Sequence, residues 1–296
     1  MKISIIGSNG LLSNSIGKYC NANKINLDVY GLQEPVHHSY DNFYPVDLLK
    51  EDLQYNQLSQ SDVIIYAVGG GIQSNLNEPV DLIYSLNVDI PIKIYNHLKL
   101  IGYRGVAITF GSYFEIGEMS ENKCYTESDV LYSDNKAPND YAISKRLLSR
   151  FISSFEAPFK FWHFILPTIY GENESSHRLI PYTIQALRNN TEIQFTSGEQ
   201  VRQYIYIDEI IQIIESAVEN KMTSGIYNIS GTETLTVKEL VSILFNVFNK
   251  SLTESVFGKV QRTDIGMKIL KLNGNKLYES INYKPTIKII DVYDRY

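Results

Sequence analysis

Five short runs of apolar and β-branched residues punctuate the first part of the chain: KISII (2–6), NLDVYG (26–31), DVIIYAV (62–68), RGVAITF (104–110) and FKFWHFIL (159–166). Their length and composition predict strands. Between them, residues 80–102 and 140–155 carry apolar side chains at helical spacing, with Pro91 expected to kink the first helix. Strand alternating with helix predicts an α/β fold built on a parallel sheet. The alternation loosens after residue 167, where LIPYTIQALRNN (179–190), DEIIQIIESAVENK (208–221) and TVKELVSILFNVFNK (236–250) predict helices separated by short extended pieces. The chain is therefore expected to divide into residues 1–167 and a smaller lobe of 168–296, with some later segments returning to the first part.

Composition narrows the class without changing this picture. With 296 residues, 44% apolar and 20% charged, the chain has enough core for one large domain or a domain with a lobe, and no tract reads as disordered. A net charge of -6 argues against general attraction to nucleic acid or an anionic membrane and leaves only a local basic pocket for phosphate. Cys20 and Cys124 are too few for a disulfide framework and lack the paired spacing of a zinc site, so both are expected as free thiols. The opening ISII is too short for a signal sequence and no run reaches the roughly 18 apolar residues of a membrane span, which points to the cytoplasm.

Candidate chemistry begins where KISII gives way to a helical pattern. The turn GSNGLLS (7–13) places Gly7 at a strand end that needs a tight turn, and Gly10 at a helix start, where free N–H groups and the helix dipole favour phosphate. Ser13 is small enough to stand where a third glycine would allow close helix–strand packing. An ordinary strand-to-helix turn would read the same way in isolation. In NDYAISKRLL (139–148), Tyr141 and Lys145 are four apart and share a helical face. A phenol with its usual pKa of about 10 is a poor acid–base group at neutral pH, and a nearby lysine or an oxidised nicotinamide would favour the phenolate. In ITFGSYFEIG (108–117), Ser112 lies just beyond a strand end, where an open α/β sheet binds its ligands. The same tyrosine–lysine spacing also arises by chance at the edge of a core.

Together the glycine loop, the strand-end serine, the Tyr/Lys pair and the order of elements resemble the extended short-chain dehydrogenase/reductase family over nearly the whole chain. LPTIYGENESSHRLIPYTIQAL (166–187) and SGEQVRQYIYIDEI (197–210) narrow the resemblance to its nucleotide-sugar epimerase, dehydratase and reductase branch. The resemblance implies a Rossmann-like, doubly wound parallel sheet in residues 1–167 that binds NAD or NADP, and a mainly substrate-binding lobe in 168–296. It implies catalytic roles for Ser112, Tyr141 and Lys145. Cofactor contacts are implied at Gly7, Asn9, Gly10, Leu11, Leu12, Gln33, Asp47, Leu48, Ala67, Val68, Gly69, Pro167 and Ile169, and at Tyr141 and Lys145 themselves. Tyr113, Arg178 and Arg202 are implied on the substrate side, where a guanidinium grips a diphosphate through paired charge-assisted hydrogen bonds. Surface ion pairs with residues such as Glu199 or Glu209 are the alternative for the arginines. Asp208 is expected as the N-cap of the helix that follows it.

Dehydratases of this branch carry an Asp-Glu pair directly after the strand-end residue, and here Tyr113 and Phe114 hold those places. Water elimination lacks its acid and base. Glu115, one place later, either binds a sugar hydroxyl or orients its own loop. The implied activity is therefore NAD(P)H-dependent reduction of a 4-keto sugar nucleotide, a 4-keto-6-deoxyhexose of bacterial-type deoxysugar synthesis. A 4-epimerase uses the same groups, and a non-catalytic dinucleotide sensor is the alternative from another class; none of these needs a metal. Gly31, Leu32 and Gln33 stand where NAD enzymes place an acidic residue, and no arginine follows for a 2′-phosphate; the missing acid tips the expectation to NADPH. Asp47 either meets the adenine edge or forms a turn. A homodimer through the helices at 80–102 and 140–155 is the implied assembly.

Overall fold

A computed structural model describes residues 1–72, 77–261 and 266–296. In chain order its strands are β1 (Lys2–Ile6), β2 (Asn26–Gly31), β3 (Asn42–Pro45), β4 (Val63–Tyr66), β5 (Val106–Ser112), β6 (Lys160–Leu166), β7 (Thr168–Tyr170), β8 (Val201–Tyr206), β9 (Gly225–Asn228), β10 (Glu233–Thr236) and β11 (Ile269–Leu270). Its α-helices are α1 (Leu11–Ala22), α2 (Tyr55–Leu58), α3 (Val80–Tyr84), α4 (Ile90–Leu100), α5 (Glu127–Leu131), α6 (Asp140–Ser153), α7 (Leu179–Asn189), α8 (Ile207–Glu219), α9 (Val237–Val247), α10 (Asn275–Ser280) and α11 (Ile289–Val292).

Seven strands form one parallel sheet in the order β3-β2-β1-β4-β5-β6-β9. Its inner strands are buried almost end to end, as a sheet covered by helices on both faces requires, and Trp162 and Phe164 of β6 lie wholly inside. This is the Rossmann-like α/β architecture. Each of the five runs read as strands forms one. The two further members, β3 and β9, have four residues each, too few to show a period.

Helix α1 buries Ser13, Ile16, Gly17 and Cys20, a three-and-four spacing that presents one face to its neighbours. Helix α8 does the same with Ile210, Ile213, Ile214 and Ala217, and the two helices pack together. Thus α8 and β9 join the main layer although they come late in the chain. Tyr206 rather than Asp208 occupies the N-cap of α8, correcting the expected cap. Asp208 lies inside the first turn and instead accepts the Ser15 hydroxyl of α1 at 2.8 Å. A second sheet centres on β8, with β10 antiparallel on one side and β7 and β11 parallel at different positions along the strand.

The stretch read as one helix is one, α3 running into α4 without a break through a π-helical turn at Ser85–Asp89. Pro91 lies in the first turn of α4, and its missing N–H lets the preceding turn widen. The widened turn holds Asn87, which is fully buried. Its amide accepts from the Gly70 N–H (3.0 Å) and donates to the Gly70 carbonyl and the Ser144 hydroxyl (both 2.9 Å), tying the loop after β4 to α6. Asn87→Ala strips partners from three buried groups at once and is expected to cost about 2 to 3 kcal/mol, read as a lower denaturant midpoint; an unchanged midpoint would show that the loop re-pairs without it.

Val80, Leu100, Ile143 and Leu147 are exposed on the helices where pairing of two copies is expected. Cys20 is buried, Cys124 is exposed and both are free. Among the described residues, no helix is long and apolar enough to cross a membrane.

Candidate active site

The phosphate loop is shaped by what its first glycine approaches. Gly7 adopts φ +101°, and a Cβ there would lie 2.9 Å from Val68 Cγ2 and 3.3 Å from the Ala67 carbonyl carbon. The loop is thereby clamped to the exit of β4. Three residues on, α1 starts with no side-chain cap and no acidic residue in its first turn, and a Cβ at Gly10 would meet nothing closer than 3.9 Å. Open space beside uncapped helix-start N–H groups fits the pyrophosphate of a dinucleotide. Leu11 and Leu12 are half-buried at this helix start, while Ser13 is wholly buried beneath it.

The Asn9 amide donates to the Glu34 carbonyl (3.1 Å) and accepts the Val36 N–H (3.1 Å), so the loop after β2 folds over the phosphate loop. Gln33 is exposed on it. Asp28 is fully buried between Lys2 (2.7 Å) and Asn42 (2.8 Å), well short of the strand end. Asp47 closes a turn: it pairs with Lys50 at 2.8 Å, which holds its carboxyl below the usual range, and accepts the Leu49 N–H. Leu48 beside it is half-buried. Ala67, Val68 and Gly69 continue from β4 past Gly7, and a methyl group at Gly71 would come 3.2 Å from the Tyr141 Cβ. One continuous floor runs from the phosphate loop to the tyrosine.

Asn139 caps α6 by accepting the Ala142 N–H (3.0 Å), which sets Tyr141 in the first turn at the mouth of the site. Lys145 is one turn deeper and buried, its Nζ donating to the Phe110 carbonyl of β5 (2.9 Å). Ser112 ends the same strand in register with Leu166, so Pro167 and Ile169 follow alongside it. The Ser112 hydroxyl accepts the Phe114 N–H at 3.3 Å and lies close enough to the Tyr141 phenol to favour its ionised form. Burial pushes that phenol up to about 12, while Ser112 and the Arg178 charge pull against it. Burial likewise pulls the Lys145 ammonium down to about 8, against the opposing charge of Glu115. At neutral pH the pair is a protonated phenol beside a largely charged amine.

Across the Phe114 ring from Tyr141 opens a cavity of about 420 Å³ whose walls include Tyr113, Phe114, Thr168, Glu174, Arg178, Gln200 and Arg202. Tyr113 hydrogen-bonds the Thr168 hydroxyl. The Tyr113 and Phe114 rings stack at 5.3 Å, and Phe114 meets Tyr141 edge-on at 6.2 Å. Arg178 pairs with Glu174, in the loop that leads into α7, at 2.8 Å. Arg202 is buried, donating to the Val201 and Met267 carbonyls (2.8 and 2.7 Å). Glu209 is wholly buried on other groups, accepting from Thr232 (2.8 Å) and the Ile287 N–H (2.9 Å). Of the two roles open to Glu115, the structure selects the loop: it is fully buried and accepts the Ser112 N–H at 2.8 Å.

Sequence reasoning did not single out Asn87, Glu174 or Thr168. Only Thr168 carried a signal, by its place within LPTIYG (166–171).

A family model described as the NAD dependent epimerase/dehydratase family matches residues 3–230. The chain is 24% identical over 273 residues to CDP-abequose synthase of Yersinia pseudotuberculosis, covering 86% of this chain and 87% of that one. It is 25% identical over 181 residues to dTDP-4-dehydro-6-deoxyglucose reductase of Escherichia coli, covering 58% of this chain and 56% of that one. In fold it is similar to UDP-glucose 4-epimerase of Thermotoga maritima, whose structure was solved with UDP-glucose: the TM-score is 0.85 over 99% of this chain and 96% of that one, at 16% identity.

Proposed function

We propose that this chain, which belongs to the NAD-dependent epimerase/dehydratase family, reduces the carbonyl of a 4-keto-6-deoxyhexose carried on a nucleotide. The observation that carries this reading is a protonated phenol whose neighbouring ring, Phe114, lines the cavity together with Tyr113, while the carboxylate in that lining, Glu174, is tied to Arg178. A proton donor without a neighbouring acid–base pair suits addition to a carbonyl better than elimination of water.

When bound, a reduced nicotinamide supplies the hydride. Tyr141 then gives its proton to the carbonyl oxygen as negative charge grows there, and the Ser112 hydroxyl holds that oxygen. The Lys145 cation favours the phenolate left behind. Arg178 and Arg202 anchor the diphosphate, and the stacked Tyr113 and Phe114 rings offer the methyl of a 6-deoxy sugar an apolar wall. Although the missing strand-end acid led to the expectation of NADPH, residues 32–36 contain neither lysine nor arginine for a 2′-phosphate and Glu34 adds a negative charge, and on that balance NADH is proposed in its place.

The test is oxidation of added NADH by the purified protein with a 4-keto-6-deoxy sugar nucleotide. Interconversion of two sugar nucleotides without added cofactor would replace this reading with the 4-epimerase, and faster turnover with NADPH would reverse the cofactor assignment. Reduction needs protonated Tyr141 and charged Lys145, and raising the pH removes both protons. Turnover is therefore expected to hold through neutrality and fall above a pH of about 8, where Lys145 titrates first. A rate that climbs through that range would instead mark a phenolate acting as base, the sense required for sugar oxidation.

A further inference from the structure

Beneath the site, four polar side chains from four segments form one buried chain. Glu115 Oε2 accepts the Ser149 hydroxyl at 2.6 Å, Ser149 Oγ meets His163 Nε2 at 2.9 Å, and His163 Nδ1 meets Thr109 Oγ1 at 2.8 Å. The other carboxylate oxygen takes the Ser112 N–H. Only glycine fits between the members: a Cβ at Gly111 would lie 2.5 Å from Glu115 Oε1 and 2.7 Å from His163 Nε2.

The chain has a direction. An amide N–H can only donate, so Oε1 must accept; burial pulls His163 down to about 3 and keeps it neutral, with one donor and one acceptor nitrogen. Thr109 then donates to Nδ1, Nε2–H donates to Ser149, and Ser149 donates to Glu115, so every donor points toward the carboxylate. Burial raises that carboxyl to about 7, leaving its charge present over the range in which Lys145 titrates. Ser149 and Lys145 are one turn apart on α6, which sets the carboxylate under the same helix face as the ammonium. The other charged or titratable groups facing it are Arg146 and Tyr141 of α6 and His163 of β6; Arg146 Nε donates to the Glu115 carbonyl at 2.7 Å.

We propose that Glu115 is a positioning residue: held as a carboxylate by the Ser149–His163–Thr109 chain, it fixes the Ser112 end of β5 and supplies the buried counter-charge that keeps Lys145 protonated. The inference rests on reading Tyr141 and Lys145 as the reacting pair.

The test follows the acetylation of individual lysines by acetic anhydride against pH, read by mass spectrometry on the folded full-length protein, and needs no substrate. Glu115→Gln keeps the shape and an acceptor for the Ser112 N–H. Its Lys145 midpoint is expected to fall by about one pH unit from the native value, while exposed Lys99 does not move. The alkaline limb of turnover should shift the same way, because losing the carboxylate charge lowers both Lys145 and Tyr141. Ser149→Ala, which removes only a hydroxyl, is the second variant and should move Lys145 in the same direction by less. A Lys145 midpoint unmoved in a folded variant would overturn the proposal and leave reduction by Tyr141 standing; a wild-type protein that turns over no keto sugar would remove the reduction and leave the Lys145 result intact.

Discussion

Tyr141→Phe is expected to lower turnover of a 4-keto sugar nucleotide by about a hundred- to ten-thousand-fold, the usual worth of a positioned proton donor. The substitution deletes one oxygen and keeps the ring that meets Phe114 edge-on. The Asn139 cap of α6 and the Lys145 bond to the Phe110 carbonyl do not involve that oxygen, so the fold and dinucleotide affinity should stay within a few-fold of native. Turnover is read by NADH oxidation and affinity by fluorescence titration. Undiminished turnover would show that another group delivers the proton. If both proteins bind dinucleotide and neither turns over, the chain is a sensor rather than a catalyst.

The second large effect lies at Gly7. Gly7→Val forces a β-branched residue into φ +101° and drives its Cβ against the backbone of Ala67 and the side chain of Val68. Backbone strain and overpacking together are expected to cost about 3 kcal/mol or more and to abolish dinucleotide binding. Gly10→Ala is the informative contrast. Its methyl group enters space with no atom closer than 3.9 Å, so thermal stability should hold while affinity for the dinucleotide falls. Equal loss of stability in both variants would mean that Gly10 serves packing, as Gly7 does, and not the ligand.

These contrasts mark what could be read from the chain by itself. Strands β1, β2, β4, β5 and β6 were legible because dense runs of apolar and β-branched residues leave little else for them to be. The glycine turn and the Tyr/Lys spacing were legible because strand, turn and helix follow each other locally. The π-helical turn around Asn87 was not, since it answers to a buried partner in a loop elsewhere. Asp208 looked like a cap because the helix seemed to begin after it; the helix begins two residues earlier, at Ile207, and the Asp208 carboxylate serves Ser15. Glu115 was legible only as far as its own loop. Ser149 and His163, which give it meaning, lie on two other elements and carry no motif.

The order of the main sheet has a consequence for biogenesis. Strand β9 covers the flank of β6, yet it is made only after the segments that build the second sheet have begun. Until residues 225–228 have emerged, Trp162, His163, Phe164 and Ile165 present unpaired main-chain groups along an apolar edge. The nascent sheet is thus sealed late, and a cut after residue 167 leaves it permanently open.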